Sequence, residues 1–255
     1  MKLWDNAASP YAFKVRATLY EKGIEFEKAE LRYHSQRAEL LRFNPRGEVP
    51  ALVDGSSVVY DSRVICDYLE ESHPAPALLP ADAATRARCR AIETIADTQL
   101  DACLYVLGLM KLFRPEAAEK LPQALAKATA ALEKHYANLD RELDGKEWFV
   151  GTFTRADIAV APHLAAAAFM GFPVPERWAC LHHWMARVSA RPSIQRATEE
   201  AMVAYQQSQS DPNPLFTSSR IHWRSDRIEW AVRVGLGAWL LDEIAADRAF
   251  FSPVP

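Results

Sequence analysis

Three short stretches near the N-terminus carry residue types and spacings that could do chemistry. Ser9-Pro10-Tyr11 opens an expected helix, with Ser9 at the N-cap and Pro10 at the first helical position. That pairing is a common structural device, yet a hydroxyl at a helix start could also donate to a bound thiolate. A free thiol titrates near ~8.5, so lowering it by two units requires about 2.7 kcal/mol of differential stabilisation. One hydrogen bond to a charged group supplies roughly 1.5–3 kcal/mol, and the helix dipole adds to it. Asp61-Ser62 opens a second helix, where capping is the structural explanation. The same place offers free N–H groups and a hydroxyl for a carboxylate, with an acid for an ammonium, which together describe a receptor for an amino-acid terminus. Val49-Pro50 precedes a strand, and Pro50 cannot donate to a sheet ladder. An ordinary strand-initiating proline explains it, whereas a cis bond would leave the Val49 N–H and C=O open to an extended peptide.

The elements that must hold these groups can be read from periodicity. Lys2-Leu3-Trp4 is a strand candidate, Pro10 to Lys22 a helix closed by Gly23, and Ile24 to Leu31 a second strand. Ser35 to Phe43 is a short charged helix, Val49 to Val53 and Ser57 to Tyr60 form a hairpin around Asp54-Gly55-Ser56, and Asp61 to Ser72 is an amphipathic helix. The order β-α-β-α-β-β-α predicts a thioredoxin-like α/β domain over residues 1–76. The proline-rich bridge His73 to Pro80 then leads to an all-helical domain over 85–207. Its expected helices are Thr85 to Phe113, Pro122 to Leu143, Thr154 to Met170, Pro175 to Ser189 and Pro192 to Gln207. A loop from Ser208 to Ser219 opens a C-terminal extension, 208–255, with one helix marked by the stripe Ile221, Ile228, Val232, Leu236, Trp239, Leu240 and Ile244. Arg227, Asp242 and Glu243 fall outside that stripe.

Bulk properties narrow the function. The 255 residues carry a formal net charge of −3, which gives no electrostatic reason to expect nucleic acid or an anionic membrane as partner. No apolar run approaches the ~20 residues of a membrane helix, and the start of the chain has no signal-peptide apolar region. Cys66, Cys89, Cys103 and Cys180 are widely spaced with no adjacent histidines, which reads against disulfides or a metal and for a reducing, cytoplasmic setting.

The motifs N-P-R-G-E-V-P-A-L at 44–52 and D-S-R-V-I-C-D-Y-L-E-E at 61–71 resemble the glutathione transferases over the whole first domain. S-P-Y-A-F-K-V-R, from Ser9, is similar to the serine-type branches, and A-T-L-Y-E-K-G-I-E-F-E looks like the bacterial β-etherase-type and tau-like members. Thr154-Arg155-Ala156-Asp157 resembles the family's helix-start motif and also reads as a capping box, with Phe153 placed to staple against Ile158. The resemblance implies glutathione as co-substrate without a metal, with Val49 and Pro50 presenting the backbone to its cysteinyl part. Asp61 and Ser62 would hold its γ-glutamyl end, and Ser9 would be the catalytic hydrogen-bond donor to sulfur. Glu48 stands where many relatives carry Lys or Gln, so His34, Gln36 and Arg37 are the candidates for the glycyl carboxylate. Many relatives also carry Glu where Asp61 stands. An apolar acceptor would sit between the domains, near Tyr11, Tyr105, Leu109 and Phe113, with core packing the competing role for each. The expected activity is attack of the thiolate on an electrophilic centre by conjugation, ether cleavage or dehalogenation, in a homodimer as the family implies. A non-catalytic interaction protein on the same fold, or a glutathione-dependent isomerase or peroxidase, are the alternatives.

Overall fold

A computed structural model describes residues 1–31, 37–114, 117, 119, 121–210 and 221–251. Strand β1 (Lys2–Asp5) leads through helix α1 (Pro10–Glu21) to β2 (Glu27–Glu30), which pairs with it in parallel, Leu3 opposite Lys28. After α2 (Arg37–Leu40), β3 (Ala51–Asp54) returns antiparallel to β1 and forms a hairpin with β4 (Ser57–Tyr60). Gly55 takes φ +58° in that turn, a conformation that costs a residue without Cβ little. Helix α3 (Ser62–Ser72) completes a mixed sheet of order β2-β1-β3-β4 with the helices the sequence pattern requires. This is the expected thioredoxin-like layout. The second strand is shorter than the Ile24–Leu31 expectation, and of the expected Ser35–Phe43 helix the described part is Arg37–Leu40.

α1 is buried from Ala12 to Leu19, because it is covered on two sides. Val15 and Leu19 pack with Leu3, Leu52, Ile65 and Leu69 against the sheet, while Phe13 and Ala17 join the helical core. The helical part starts with α4 (Ala83–Ile95), which runs through a π-helical turn (Ala96–Leu100) into α5 (Asp101–Gly108) and a second π turn (Leu109–Phe113). Next come α6 (Pro122–Glu142), α7 (Arg155–Phe169), α8 (Ala179–Ser189) and α9 (Pro192–Ser210). Among the described residues no helix is long and apolar enough to cross a membrane.

The capping box forms at α7 and does more than cap. Asp157 accepts from the Thr154 N–H at 2.9 Å, the Phe149 N–H at 3.3 Å and the Trp184 indole N–H at 2.9 Å. Three elements therefore converge on one buried carboxylate, and burial pushes its carboxyl up to about 6 despite those donors.

The C-terminal segment differs from the expected single helix. Strand β5 (Ile221–Trp223) is followed by α10 (Ser225–Val234), α11 (Gly237–Ala245) and β6 (Ala249–Phe251), with β5 and β6 parallel. Gly235, at φ +101°, closes α10, and Leu236 N–H bonds back to Ala231 C=O at 2.8 Å. That terminator divides a stripe that reads as continuous by spacing. α10 packs on α5 and α6, and Trp223 and Trp230 enter the helical core. Arg227 and Glu243, expected outside the apolar stripe, are both buried. Glu243 meets Arg248 at 2.6 Å, and Arg227 grips Asp101 of α5 through Nε at 2.9 Å and Nη2 at 3.3 Å. Burial alone would push the Asp101 carboxyl up, but the charge of the Arg227 guanidinium and its two hydrogen bonds hold it well below the usual carboxylate range.

These two buried acids can be tested through stability. Asp157→Ala strands three buried donors and should lower stability by at least about 2 kcal/mol in urea unfolding; a loss within ~0.5 kcal/mol would contradict the convergence described. Arg227→Ala should cost about 3–5 kcal/mol at neutral pH, since it leaves Asp101 buried and uncompensated. Because the folded Asp101 carboxyl is depressed, its contribution in the wild type is present above the unfolded value of ~3.9 and fades as pH falls below it. The variant lacks that contribution, so the gap between the two proteins should narrow as pH falls below ~4, and a gap independent of pH would refute the pairing.

Candidate active site

A cleft of about 890 Å³ opens where the N-termini of α1 and α3 meet the helical part. Its floor on the sheet side comes from the Asn6–Ser9 loop and from Arg46 to Pro50. The loop is pinned from below: buried Arg16 donates to the Ala7 C=O at 3.0 Å and pairs with Asp5 at 2.6 Å, and the Asn6 side chain accepts from the Ala8 N–H at 3.0 Å. Ser9 caps α1, its Oγ accepting from the Ala12 N–H at 3.3 Å. The hydroxyl proton has no acceptor among the described residues and borders the cleft.

The Val49–Pro50 bond is cis, and neither the N–H nor the C=O of Val49 has a partner among the described residues. Asp61 caps α3 through the Arg63 N–H at 3.0 Å and adopts φ +73°, a sparsely populated conformation for a residue with a Cβ. Ser62 beside it is buried at the start of the helix. Arg46 bridges Asp61 at 3.4 Å and Glu48 at 2.6 Å, and Glu48 also faces His222 of β5 at 3.5 Å. The departure at position 48 is therefore neutralised locally by Arg46, with His222 of the C-terminal extension on its other side.

On the helical side, the Tyr11 hydroxyl donates to the Asp97 C=O at 2.7 Å, and its ring stands edge-on to His163. Burial, followed by the charge of Asp101, pushes the Tyr11 phenol well above its ordinary value. Its proton is committed to a carbonyl, so Tyr11 lines the cleft without serving as an acid. Tyr105 donates to the His222 C=O and stacks under Arg227 at 3.8 Å. None of the four cysteines borders the cleft.

The structure thus brings Ser9, Tyr11, Val49, Pro50, Asp61, Ser62 and Tyr105 to one cleft. Leu109, expected at the acceptor side, is instead fully buried in the helical core. Tyr105, Gly108 and Leu112 form the cleft-facing row, and Leu109 lies about 100° round the helix from Gly108, toward the core. His34 and Gln36 lie outside the described residues, as do the side chains of Arg37 and Phe113. Sequence reasoning passed over Arg46, Asp97, Asp101, His163, His222 and Arg224 as site residues, all of which line the cleft. Arg46 stood inside a motif already read, and Asp97 and Asp101 share a helical face by spacing. For His222 and Arg224 the only signal was their i, i+2 alternation around Trp223.

Comparison with known proteins places the chain in a family. The model of the glutathione S-transferase N-terminal domain matches residues 8–72, and that of the C-terminal domain residues 95–192. The GST-like protein YibF of Escherichia coli is 33% identical over 176 residues, 68% of this chain and 81% of that protein. The LigF protein of Sphingobium is 28% identical over 241 residues, covering 79% of this chain and 94% of LigF. Its crystal structure, described as a beta-etherase, has a TM-score of 0.66 and covers 78% of this chain and 98% of that one. A glutathione S-transferase crystal structure from Rhodospirillum rubrum has a TM-score of 0.68 at 29% identity, covering 77% of this chain and 90% of that chain. With both halves matched by family models and the cleft built at their junction, the chain belongs to the glutathione S-transferase family.

Proposed function

We propose that this chain is a glutathione transferase in which Ser9 donates a hydrogen bond to the glutathione sulfur. The observation that carries the reading is the unspent Ser9 hydroxyl, which borders the same cleft as the unpaired Val49 peptide and the N-terminus of α3. The cysteinyl part of the tripeptide would pair in extended form with Val49. Its γ-glutamyl carboxylate would sit on the Ser62 end of α3, and its ammonium on Asp61. Arg46 screens Asp61 and Glu48, so two acids at the site do not repel an anionic tripeptide.

The thiolate then attacks an electrophilic carbon, the C–S bond forms, and the leaving group departs with its electron pair and is protonated from solvent. Proximity and thiolate stabilisation supply the acceleration, with no covalent bond to the enzyme. Tyr11, Leu104, Tyr105 and Leu112 give the acceptor an apolar wall. Among conjugation, dehalogenation and ether cleavage, the near full-length likeness to LigF favours ether cleavage. Its cysteines without disulfides suit a reducing compartment such as the cytoplasm, and a homodimer is the family's habit.

An ultraviolet difference titration of bound glutathione tests the mechanism. The wild type should hold the thiol about one to two units below its free value of ~8.5, and Ser9→Ala should return it most of the way. Turnover in that variant should fall about tenfold or more while glutathione affinity changes little. Saturable binding with an unshifted thiol in the wild type would sink the reading.

A further inference from the structure

Four arginines border the cleft: Arg46, Arg63, Arg224 and Arg227. Three are committed. Arg46 spans Glu48 and Asp61, Arg63 donates to Thr94 at 2.8 Å, and Arg227 is locked on Asp101. The Arg224 guanidinium makes no hydrogen bond among the described residues. Its nearest carboxylate oxygen, on Asp226, lies 3.7 Å from Nε, too far for a hydrogen bond. A guanidinium carries five N–H donors and cannot shed its charge. Arg224, in ion contact with Asp226 and over the Tyr11 ring, spends none of those donors on a hydrogen bond among the described residues and can offer them to an anion at the cleft wall.

Position on the strand decides which ligand it serves. Side chains alternate across β5, so Trp223 enters the core while His222 and the following Arg224 border the cleft. His222 meets Glu48, at the edge where the tripeptide would lie. Arg224 is one step further along, its guanidinium 4.9 Å above the ring of Tyr11, which follows Ser9 by two residues and hydrogen-bonds the helical wall at Asp97. That is the acceptor's side of the sulfur. Leu104, Tyr105 and Leu112 give that wall an apolar stretch, which suits an aromatic or aliphatic body.

We infer that the acceptor carries a carboxylate and that Arg224 of the C-terminal extension binds it; this rests on the glutathione transferase reading above. The planar fork of a guanidinium matches a carboxylate with two parallel hydrogen bonds. A phosphate fits less well, because Asp226 stands 3.7 Å from Nε and the charge of Asp101 also reaches the guanidinium, so a second negative charge on the ligand is opposed. The extension lies beyond residue 192, where the family's C-terminal match ends, so this specificity element is an addition to the matched domains.

The test is calorimetric binding of two stable conjugates, S-(para-carboxybenzyl)glutathione and its para-methyl ester, with glutathione alone as reference. The wild type should bind the free acid about tenfold or more tightly than the ester. Arg224→Gln should bring that ratio close to one, and Arg224→Lys should keep part of it. A wild-type ratio near one overturns the proposal without any variant, as does a ratio that survives Arg224→Gln. If Arg224→Gln weakens glutathione itself and leaves the ratio intact, the residue serves the tripeptide and the acceptor assignment fails. Glutathione that does not bind the wild type at all removes the underlying transferase reading, and the proposal with it.

Discussion

The structure depends on a helix that is buried on both sides and still carries charge. Lys14, on α1, is enclosed between the sheet and the helical part, where Glu93 stands 3.1 Å away and Asp97 hydrogen-bonds its ammonium. Arg155 of α7 meets Glu93 at 2.8 Å and reaches Asp67 of α3. Removing an ion from water costs several kcal/mol, and only well-placed partners offset it. Each of these charges therefore admits few arrangements of α1, α3, α4 and α7. Apolar packing alone would tolerate a small slide between the layers. The ion network does not, and the start of α1 is held in register with the first π turn.

That register positions the cleft. Ser9 is one turn ahead of Lys14's buried stretch, and Asp97 and Thr98, on the π turn, form the facing wall. A π turn inserts a residue into the helix and rotates the turns C-terminal to it, a device often found beside functional sites. Asp97 uses both its groups here: its carboxylate takes the Lys14 ammonium, and its C=O takes the Tyr11 hydroxyl. One residue thus ties the interlayer charge network to the cleft wall.

The parts legible in the sequence were those decided locally. A proline before a strand, a Ser-Pro helix start, an Asp-Ser helix start and the Thr154–Asp157 box are set by a few neighbouring residues, and each stands where the spacing put it. Decisions made by distant partners were not legible. A lysine inside α1 and an arginine inside α10 look like solvent-facing residues until Glu93 and Asp101 are seen opposite them. Leu109 failed for a related reason: a wide apolar face on a helix between cleft and core does not say where one ends. The C-terminal stripe failed at Gly235, where a local terminator outweighed a long apolar period.

The contrast between enclosed and exposed charges also governs how the cleft would admit a ligand. Its buried charges are paired at close range, while Arg46 reaches Asp61 only at 3.4 Å with both side chains partly exposed. Exposed pairs contribute little, ~1 kcal/mol at most, so an incoming ammonium can share Asp61 at almost no cost. Asp61 is meanwhile held at φ +73° by its own cap to Arg63, so its carboxylate does not have to reorganise. The molecule fixes its acids and its helix termini with strong, enclosed interactions and leaves weak ones at the surfaces a ligand would touch. Rigidity is concentrated behind the cleft and exchangeable contacts at its face, an arrangement that lets binding proceed without loosening the interface on which the geometry rests.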